Sequence, residues 1–461
     1  MRALVVGLGR SGEAAAKFLA KRGAKVSATD IQPESALADV AKNLRSLGVE
    51  LYLAGHEPGV FLDQELVVVS PGVPWDLPPL SEARSRGTEV IGEVELAARF
   101  LQGPIIGVTG SNGKTTTTVM IGHLLRGGGL PEQVGGNVGL PYPPMIDMVE
   151  TSAPGTWNVL ELSSFQLESI RQFHAHIAVC LNVTPDHLDR HARFECYAAA
   201  KGRLFSTQRE GDYAVLNADD PACAAYGEQA RAGAVWFSRT RPVSPGTSVA
   251  RGWIVYEQDG REIPLAEVSA IPIRGAHTLE NTLAATAAAY LVGVSPEAMR
   301  CALPQFRAVE HRLEFVSRVR GVDYYNDSKA TNVDAARKAL EAFENRLWVI
   351  LGGKDKGSDY TPLAELLRQK TRGVLLIGAA APKIAAQVGD GVPLVEAGTM
   401  ERAVAYAAEN ARPGDTVLLA PACASFDQFQ NYEHRGRVFK QLVHALEKGV
   451  KRIVYGKTTE E

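Results

Sequence analysis

"GVTGSNGKTTT", residues 107–117, continues a short apolar run that begins at Ile105. Strand, glycine turn and helix start in that order form a unit able to hold a phosphate, because the turn's N–H groups and the positive end of the helix both attract an anion. The strict phosphate-loop pattern needs a glycine five residues before the Gly-Lys pair, and that place is Val108. What remains, Gly110, Asn112, Gly113, Lys114 and Thr115, still offers backbone donors, a cation for phosphate oxygens and a hydroxyl for Mg²⁺. The alternative is a glycine turn carrying a solvated lysine.

Outward from this loop the pattern is α/β. The first hundred residues alternate β-branched runs (3 to 6, 26 to 29, 66 to 69) with amphipathic stretches (12 to 21, 36 to 46), which predicts βαβ units on a parallel sheet. Gly103-Pro104 interrupts that series and a fresh strand follows. Further strands are expected at 159 to 162, 177 to 182 and 213 to 217, then a β-leaning region from 234 to 272 and a helix at 281 to 291. After "LPQFRAVEHRLE" a third series begins with "VDYYNDS", a helix from Val333, "LWVILGG", a helix from Thr361, "GVLLIG", "DTVLLAP" and a closing helix to about Lys448. The predicted fold class is α/β with three consecutive domains, 1–102, 103–308 and 309–461. "GKTTEE" reads as a frayed tail.

A chain of 461 residues fits about three domains. Its 22% charged residues and net charge of -3 suit a soluble globular protein and do not suggest a nucleic-acid partner. Five scattered cysteines without a CxxC pair imply neither a disulfide framework nor a zinc knuckle, and fit a reducing, cytoplasmic setting. "MRALVVGLGR" is broken too early for an export signal. "LAATAAAYLVGV" from Leu283 is too short to cross a bilayer, so it predicts a buried helix and no membrane insertion.

Two further patterns carry chemistry. "GLGRSG" supplies Gly7, Gly9 and Gly12 between a strand and a helix, with Asp30 ending the next strand, a pattern that suits a dinucleotide, any other pyrophosphate such as a UDP moiety, or a plain tight turn. Glu161 ends the strand "NVLEL", at the edge where α/β sites gather, and "NVTPDHLDRH" offers Asp186, His187, Asp189 and His191, of which His187 is favoured to face the site. Either segment also reads as an ordinary capped helix start.

These stretches, together with "ELSSFQLE", "YAAAKGRLF", "EHRLE", "NDSKATN" and "PACASFDQF", occur in one order over nearly the whole chain and resemble the Mur ligase family of ATP-dependent amide-bond ligases. "SPGVP" at Ser70, "GGNVGLP" at Gly135 and "PACASFDQFQNYEHRG" at Pro421 resemble its D-glutamate-adding branch, and no DNPR-like segment of the diaminopimelate or lysine adders is present. The resemblance implies an N-terminal Rossmann-like domain for the UDP-sugar, a central ATP-binding domain and a C-terminal Rossmann-like domain for the amino acid. It implies ATP with two Mg²⁺ ions as cofactors and UDP-N-acetylmuramoyl-L-alanine and D-glutamate as partners; a monomer is expected.

By resemblance, Gly110, Ser111, Asn112, Gly113, Lys114, Thr115, Thr116, Asn281, Arg312 and Asp327 bind ATP, and Thr115, Glu161, His187 and Lys201 hold metal. Lys201 corresponds to a lysine carbamylated in the family; without the resemblance it reads as a solvated helix lysine. Gly9, Arg10, Ser11, Asp30, Ser70 and Asn137 fall on UDP-sugar positions, and Lys329, Thr331, Lys356, Ser425 and Tyr432 on D-glutamate positions. His311 belongs to the catalytic neighbourhood, with Lys114, Glu161, His187 and Lys201. Two departures are Thr278, where the family's HNxxN pattern has its first asparagine, and Tyr432, where phenylalanine is common. The rival readings are a folylpolyglutamate-like or other Mur-type ligase, an NAD-binding oxidoreductase resting on "GLGRSG" and Asp30, and a nucleotide-binding module without chemistry.

Overall fold

The computed structural model describes residues 1–272, 276–307 and 310–447. The chain divides into two compact units, Met1–Ile271 with Leu279–Phe306 and Pro272–Thr278 with Arg307–Glu461. The expected boundary at 308 and 309 and the "GKTTEE" tail lie outside the described residues.

The first unit carries two sheets. Strands β1 (Arg2–Val6), β2 (Lys25–Thr29), β3 (Glu50–Tyr52), β4 (Leu66–Val69) and β5 (Glu89–Gly92) form a parallel sheet in the order β3-β2-β1-β4-β5. Apolar runs in β1 and β4 are buried along almost their whole length, as a parallel sheet covered on both faces requires. The second sheet contains β6 (Ile105–Thr109), β7 (Glu132–Gly136), β8 (Trp157–Glu161), β9 (Ile177–Cys180), β10 (Tyr213–Asn217), β11 (Gly233–Phe237), β12 (Gly246–Ala250), β13 (Trp253–Gln258) and β14 (Arg261–Glu267). Its order is β14-β13-β12-β11-β10-β9-β6-β8-β7. The β-leaning region thus extends the parallel sheet through β11 and β12 and then adds β13 and β14 antiparallel.

The second unit holds β15 (Glu314–Val319), β16 (Val322–Asn326), β17 (Leu347–Gly352), β18 (Thr371–Ile377), β19 (Leu394–Gly398) and β20 (Thr416–Leu419), in the order β15-β16-β20-β17-β18-β19, with only β15 antiparallel.

Several boundaries move from their sequence-based places. The Ala-rich helix starts at Ala276 rather than Asn281, and residues 283–289 are fully buried. The helix expected from Thr361 opens as a 3₁₀ turn, Thr361–Leu363, with the α-helix at Ala364–Lys370. The helix expected from Ala36 is preceded by a 3₁₀ turn at Glu34–Ala36 and spans Ala38–Ser46. Among the described residues, no helix is long and apolar enough to cross a membrane.

All three sheets place their loops of interest at strand carboxyl ends next to a change in strand order, where the diverging connections open a crevice. In the first sheet this lies between β1 and β4, in the second around β6, flanked by β8 and β9, and in the third around β20, inserted between β16 and β17.

One apolar core runs from the first sheet into the second, and two buried glutamates sit at that join. The Glu95 carboxylate accepts N–H groups from Arg171, Gln172 and Phe173 at 2.8–3.1 Å. Glu93 has one such donor, Ile146 N–H at 2.9 Å, and burial pushes its carboxyl up to about 7. Three backbone donors, the Phe173 N–H buried and the other two partly so, depend on the buried Glu95 carboxylate, so Glu95→Ala is expected to cost about 3 kcal/mol. Scanning calorimetry of the variant should show a lowered unfolding temperature; a wild-type trace would contradict this role.

Candidate functional site

The loop after β6 is built by register. Val108 pairs with Glu161 of β8 on one side and Val179 of β9 on the other, so it is a buried strand residue and the turn begins only at Gly110. Gly113 caps the helix Lys114–Gly127 in left-handed conformation at φ 84°. A Cβ there would lie 2.2 Å from Oδ1 of Asn281, so the same glycine admits both the turn and the neighbouring amide. Asn182 fastens the turn: its carbonyl accepts Ser111 N–H at 2.8 Å and its side-chain Oδ1 accepts Asn112 N–H at 2.9 Å.

Below the helix start, Thr115 Oγ1 donates to Glu161 Oε2 at 2.5 Å, and the other carboxylate oxygen accepts from Asn137 Nδ2 at 3.1 Å. A buried carboxylate beside a hydroxyl is an oxygen set suited to a hard divalent cation. Thr116 follows on the same helix turn, half-buried.

Lys114 and Lys201 converge on one atom. Each Nζ donates to the Gly110 carbonyl at 2.8 Å, and Lys114 also reaches the Ser111 carbonyl at 3.0 Å. Lys201 is 1% exposed, not solvated. Burial first, and the Lys114 charge second, lower its ammonium to about 7. Its helix, Phe194–Ser206, also brings Tyr197, whose ring lies 4.5 Å from Lys201 Nζ and whose hydroxyl meets Ser111 Oγ at 2.9 Å. Sequence reading passed over Tyr197 and Asn182 as site residues, since an aromatic and an amide beside glycine turns carry no distinguishing pattern.

His187 is exposed, holds left-handed backbone at φ 53°, and packs edge-on against Phe165, with its ring centre 6.4 Å from that of Tyr197. Its neighbour Thr184 joins the loop through Ser111. His191, by contrast, is buried against Ser164 and Glu168, as part of the packing. Asp186 lies beside His187, and its Oδ1 accepts the His187 N–H.

In the first sheet Gly9 caps the helix Arg10–Lys21, and Ser11 sits half-buried in its first turn. Ser70, after β4, donates to the Gly7 carbonyl at 2.7 Å, and Arg10 donates to the carbonyl of Tyr142. Asp30 accepts N–H groups from Leu8 at 2.5 Å and Gln32 at 2.8 Å, so its carboxylate shapes the glycine loop from beneath.

In the second unit, three loops leave parallel neighbouring strands: β16 leads to Asp327, Lys329 and Thr331, β17 to Lys356, and β20 to Ser425. Lys329 Nζ lies 3.9 Å above the Tyr432 ring, and Thr331 N–H returns to the Lys329 carbonyl. Ser425 is buried, whereas Lys356 is exposed on a loop whose Lys354 pairs with Ala424. Arg435, fully buried and absent from the sequence reading, binds Ser328 and the carbonyls of Cys423 and Ala424, fastening two of these loops. Arg312 is half-buried, and desolvation pushes the Asp327 carboxyl up to about 7, against Leu313 N–H and the Arg312 charge. His311 is buried with φ 67°, and burial holds its imidazole below the ordinary value, against the pull of Glu310 and Glu314. Thr278 is buried.

Residues 1–92 match the Mur ligase MurD-like N-terminal domain, 108–289 the Mur ligase middle domain and 311–423 the Mur ligase glutamate ligase domain. The UDP-N-acetylmuramoylalanine--D-glutamate ligase of Solibacter usitatus is 59% identical over 447 residues, covering 97% of this chain and 98% of the relative. The enzyme of that name from Koribacter versatilis is 52% identical over 445 residues, with 96% and 97% covered. Among solved structures, a pseudomurein peptide ligase type C from Methanothermus fervidus and the UDP-N-acetylmuramate-alanine ligase of Thermotoga maritima each align with a TM-score of 0.60 at 20% identity, over 96% of this chain and 99% of theirs, a likeness of fold.

The buried lysine predicts a pH dependence. With its folded value near 7 and its ordinary value 10.5, Lys201 binds fewer protons in the folded than in the unfolded chain between those limits, so its contribution makes stability rise with pH through that window. In buffer freed of carbon dioxide, Lys201→Met should remove this rise; parallel stability-pH curves for variant and wild type would contradict it.

Proposed function

The chain belongs to the Mur ligase family, and from that premise we propose that it joins D-glutamate to UDP-N-acetylmuramoyl-L-alanine at the expense of ATP, in peptidoglycan precursor synthesis. The observation that carries this reading is the gathering of Lys114, Lys201, Thr115 and Glu161 around one glycine turn in a chain aligned end to end with enzymes of that name. A redox reading of "GLGRSG" gives those four side chains no task.

In this reading the substrate carboxylate attacks the γ-phosphorus of ATP, releasing ADP and forming an acyl phosphate. The neutral amine of D-glutamate then attacks the acyl carbon and expels phosphate. Two anions meet in the first step, and Lys114 on the turn supplies positive charge against the phosphate oxygens. The residues that would hold Mg²⁺ are Thr115 and Glu161, with Glu161 shared with a second ion that His187 and a carbamylated Lys201 would hold; bound there, the metal would neutralise charge developing on the transferred phosphoryl group. Lys201 as an ammonium cannot ligate a cation. Its burial and lowered proton affinity favour the neutral amine, whose nitrogen attacks carbon dioxide and loses a proton to give a carbamate.

Residues 1–102 then serve the UDP-sugar, with Gly9, Arg10, Ser11, Ser70 and Asn137 around it, and 103–308 serve ATP. Residues 309–461 serve D-glutamate, with Lys329 and Lys356 as cations for its two carboxylates. A monomer in the cytoplasm completes the proposal.

Phosphate release from ATP and Mg²⁺ in the presence of UDP-N-acetylmuramoyl-L-alanine should require D-glutamate. Release driven by another amino acid instead would overturn the substrate assignment. Lys201→Ala should abolish ligation, with partial rescue by short carboxylates in the medium, and full activity without rescue would remove the carbamate. Glu161→Ala should eliminate Mg²⁺-dependent turnover while UDP-sugar binding persists by calorimetry.

A further inference from the structure

The surroundings of His311 determine which of its nitrogens carries the proton. Asn326, at the end of β16, points its Nδ2 at two acceptors, His311 Nδ1 at 2.8 Å and Glu314 Oε2 at 3.0 Å, while its Oδ1 accepts Ser328 N–H at 3.1 Å. The opposite amide orientation would set Oδ1 against the Glu314 carboxylate and an NH₂ against the Ser328 N–H, so two independent neighbours fix the amide. An Nδ1 that receives a hydrogen bond from an amide carries no proton of its own. Gly436 admits the ring on the same side: a Cβ there would lie 2.2 Å from His311 Nδ1, so the absence of a side chain lets the imidazole sit where it does, and Tyr432 stands edge-on at 6.2 Å.

Glu310, His311 and Glu314 offer a cluster of ligand atoms, but Lys440 Nζ lies against it, 2.9 Å from Glu310 Oε1 and 2.6 Å from Glu314 Oε1. That ammonium bridges the two carboxylates and offsets one of their two charges, and His311 Nε2 stands 3.8 Å from Glu310 Oε1.

We infer that Asn326 is a positioning residue that holds His311 as the neutral imidazole protonated on Nε2, so that His311 acts as an uncharged hydrogen-bond donor and not as the acceptor of the incoming amine's proton. Nδ1 is capped and Nε2 already bears hydrogen, so neither nitrogen is open to a proton. The use of this donor toward an anionic substrate rests on the ligase reading above; the tautomer itself does not.

Long-range ¹H–¹⁵N spectra of the intact protein with labelled histidine, assigned by loss of one signal in His311→Gln, test the tautomer directly. At about pH 7 the wild type should show His311 protonated on Nε2 alone, with no conversion to imidazolium near the ordinary histidine value. A proton on Nδ1, or on both nitrogens, overturns the inference. Asn326→Asp replaces the donor by an acceptor and should move the proton to Nδ1 or add a second one, with kcat lowered about tenfold or more. An unchanged His311 signal in that variant, or an unchanged kcat with an altered signal, overturns the positioning role. Failure of the wild type to use D-glutamate would count against the ligase reading alone, because the spectra need no substrate.

Discussion

Two ammonium groups share the carbonyl oxygen of Gly110. Lys114 arrives from the adjacent helix and Lys201 from 91 residues away, each at 2.8 Å. Like charges that share one acceptor repel, more strongly where water is excluded, so the arrangement holds only because the surrounding fold imposes it. The strands β6, β8 and β9 set the height of the loop, Asn182 ties its backbone, and the Phe194–Ser206 helix inserts Lys201 under it with Tyr197 alongside. The cost falls on Lys201, the more buried partner, whose proton affinity drops to about 7. A lysine kept beside a second cation and out of water is ready to exist as an amine, the form that does chemistry.

The same register accounts for the missing glycine of the phosphate-loop pattern. Val108 lies between two hydrogen-bonded strands with its side chain buried, where a glycine would leave a void and weaken the sheet. The turn starts two residues later and is correspondingly short. Its compactness keeps Thr115 within 2.5 Å of Glu161 at the end of the neighbouring strand. The pattern departs from the longer loop while the geometry of turn, cation and hydroxyl is retained.

Legibility followed the kind of signal each element carries. β1, β4, β6 and β17 were readable because strands buried on both faces are continuous apolar runs. "EQVGG" of β7 and "LVEAG" of β19 escaped, being glycine-bearing or polar and stabilised by pairing with a single neighbour at a sheet edge. In the loops, residue type revealed Lys114, Thr115 and Glu161, because glycine turns and strand ends restrict what their neighbours do. Burial was invisible: nothing in "YAAAKGRLF" separates a solvated lysine from one 1% exposed, and Lys201 was reached only by resemblance. Arg435 likewise looks like a surface cation in "NYEHRG" until its carbonyl partners, 11 and 107 residues away in sequence, are brought to it.

Asp30 shows how a familiar pattern can mislead about chemistry while being right about shape. A glycine loop followed by an acid at the end of the next strand suits a ribose-binding carboxylate. Here the carboxylate is engaged by Leu8 and Gln32 N–H groups on the two loops it lies between. An acid at that position stabilises the loop whichever ligand the loop meets, so its presence cannot distinguish nicotinamide dinucleotide from a UDP-sugar. Discrimination must come from side chains around the crevice mouth. Ser70, bonded to the Gly7 carbonyl, and Arg10, anchored on the Tyr142 carbonyl, connect the glycine loop to the loop after β4 and to the neighbouring sheet. Those links tie the N-terminal loop to the segment that also carries Asn137, and through Asn137 to Glu161. The glycine loop at Gly9 is thereby linked, through hydrogen bonds, to the same carboxylate that meets Thr115 beside the turn after β6.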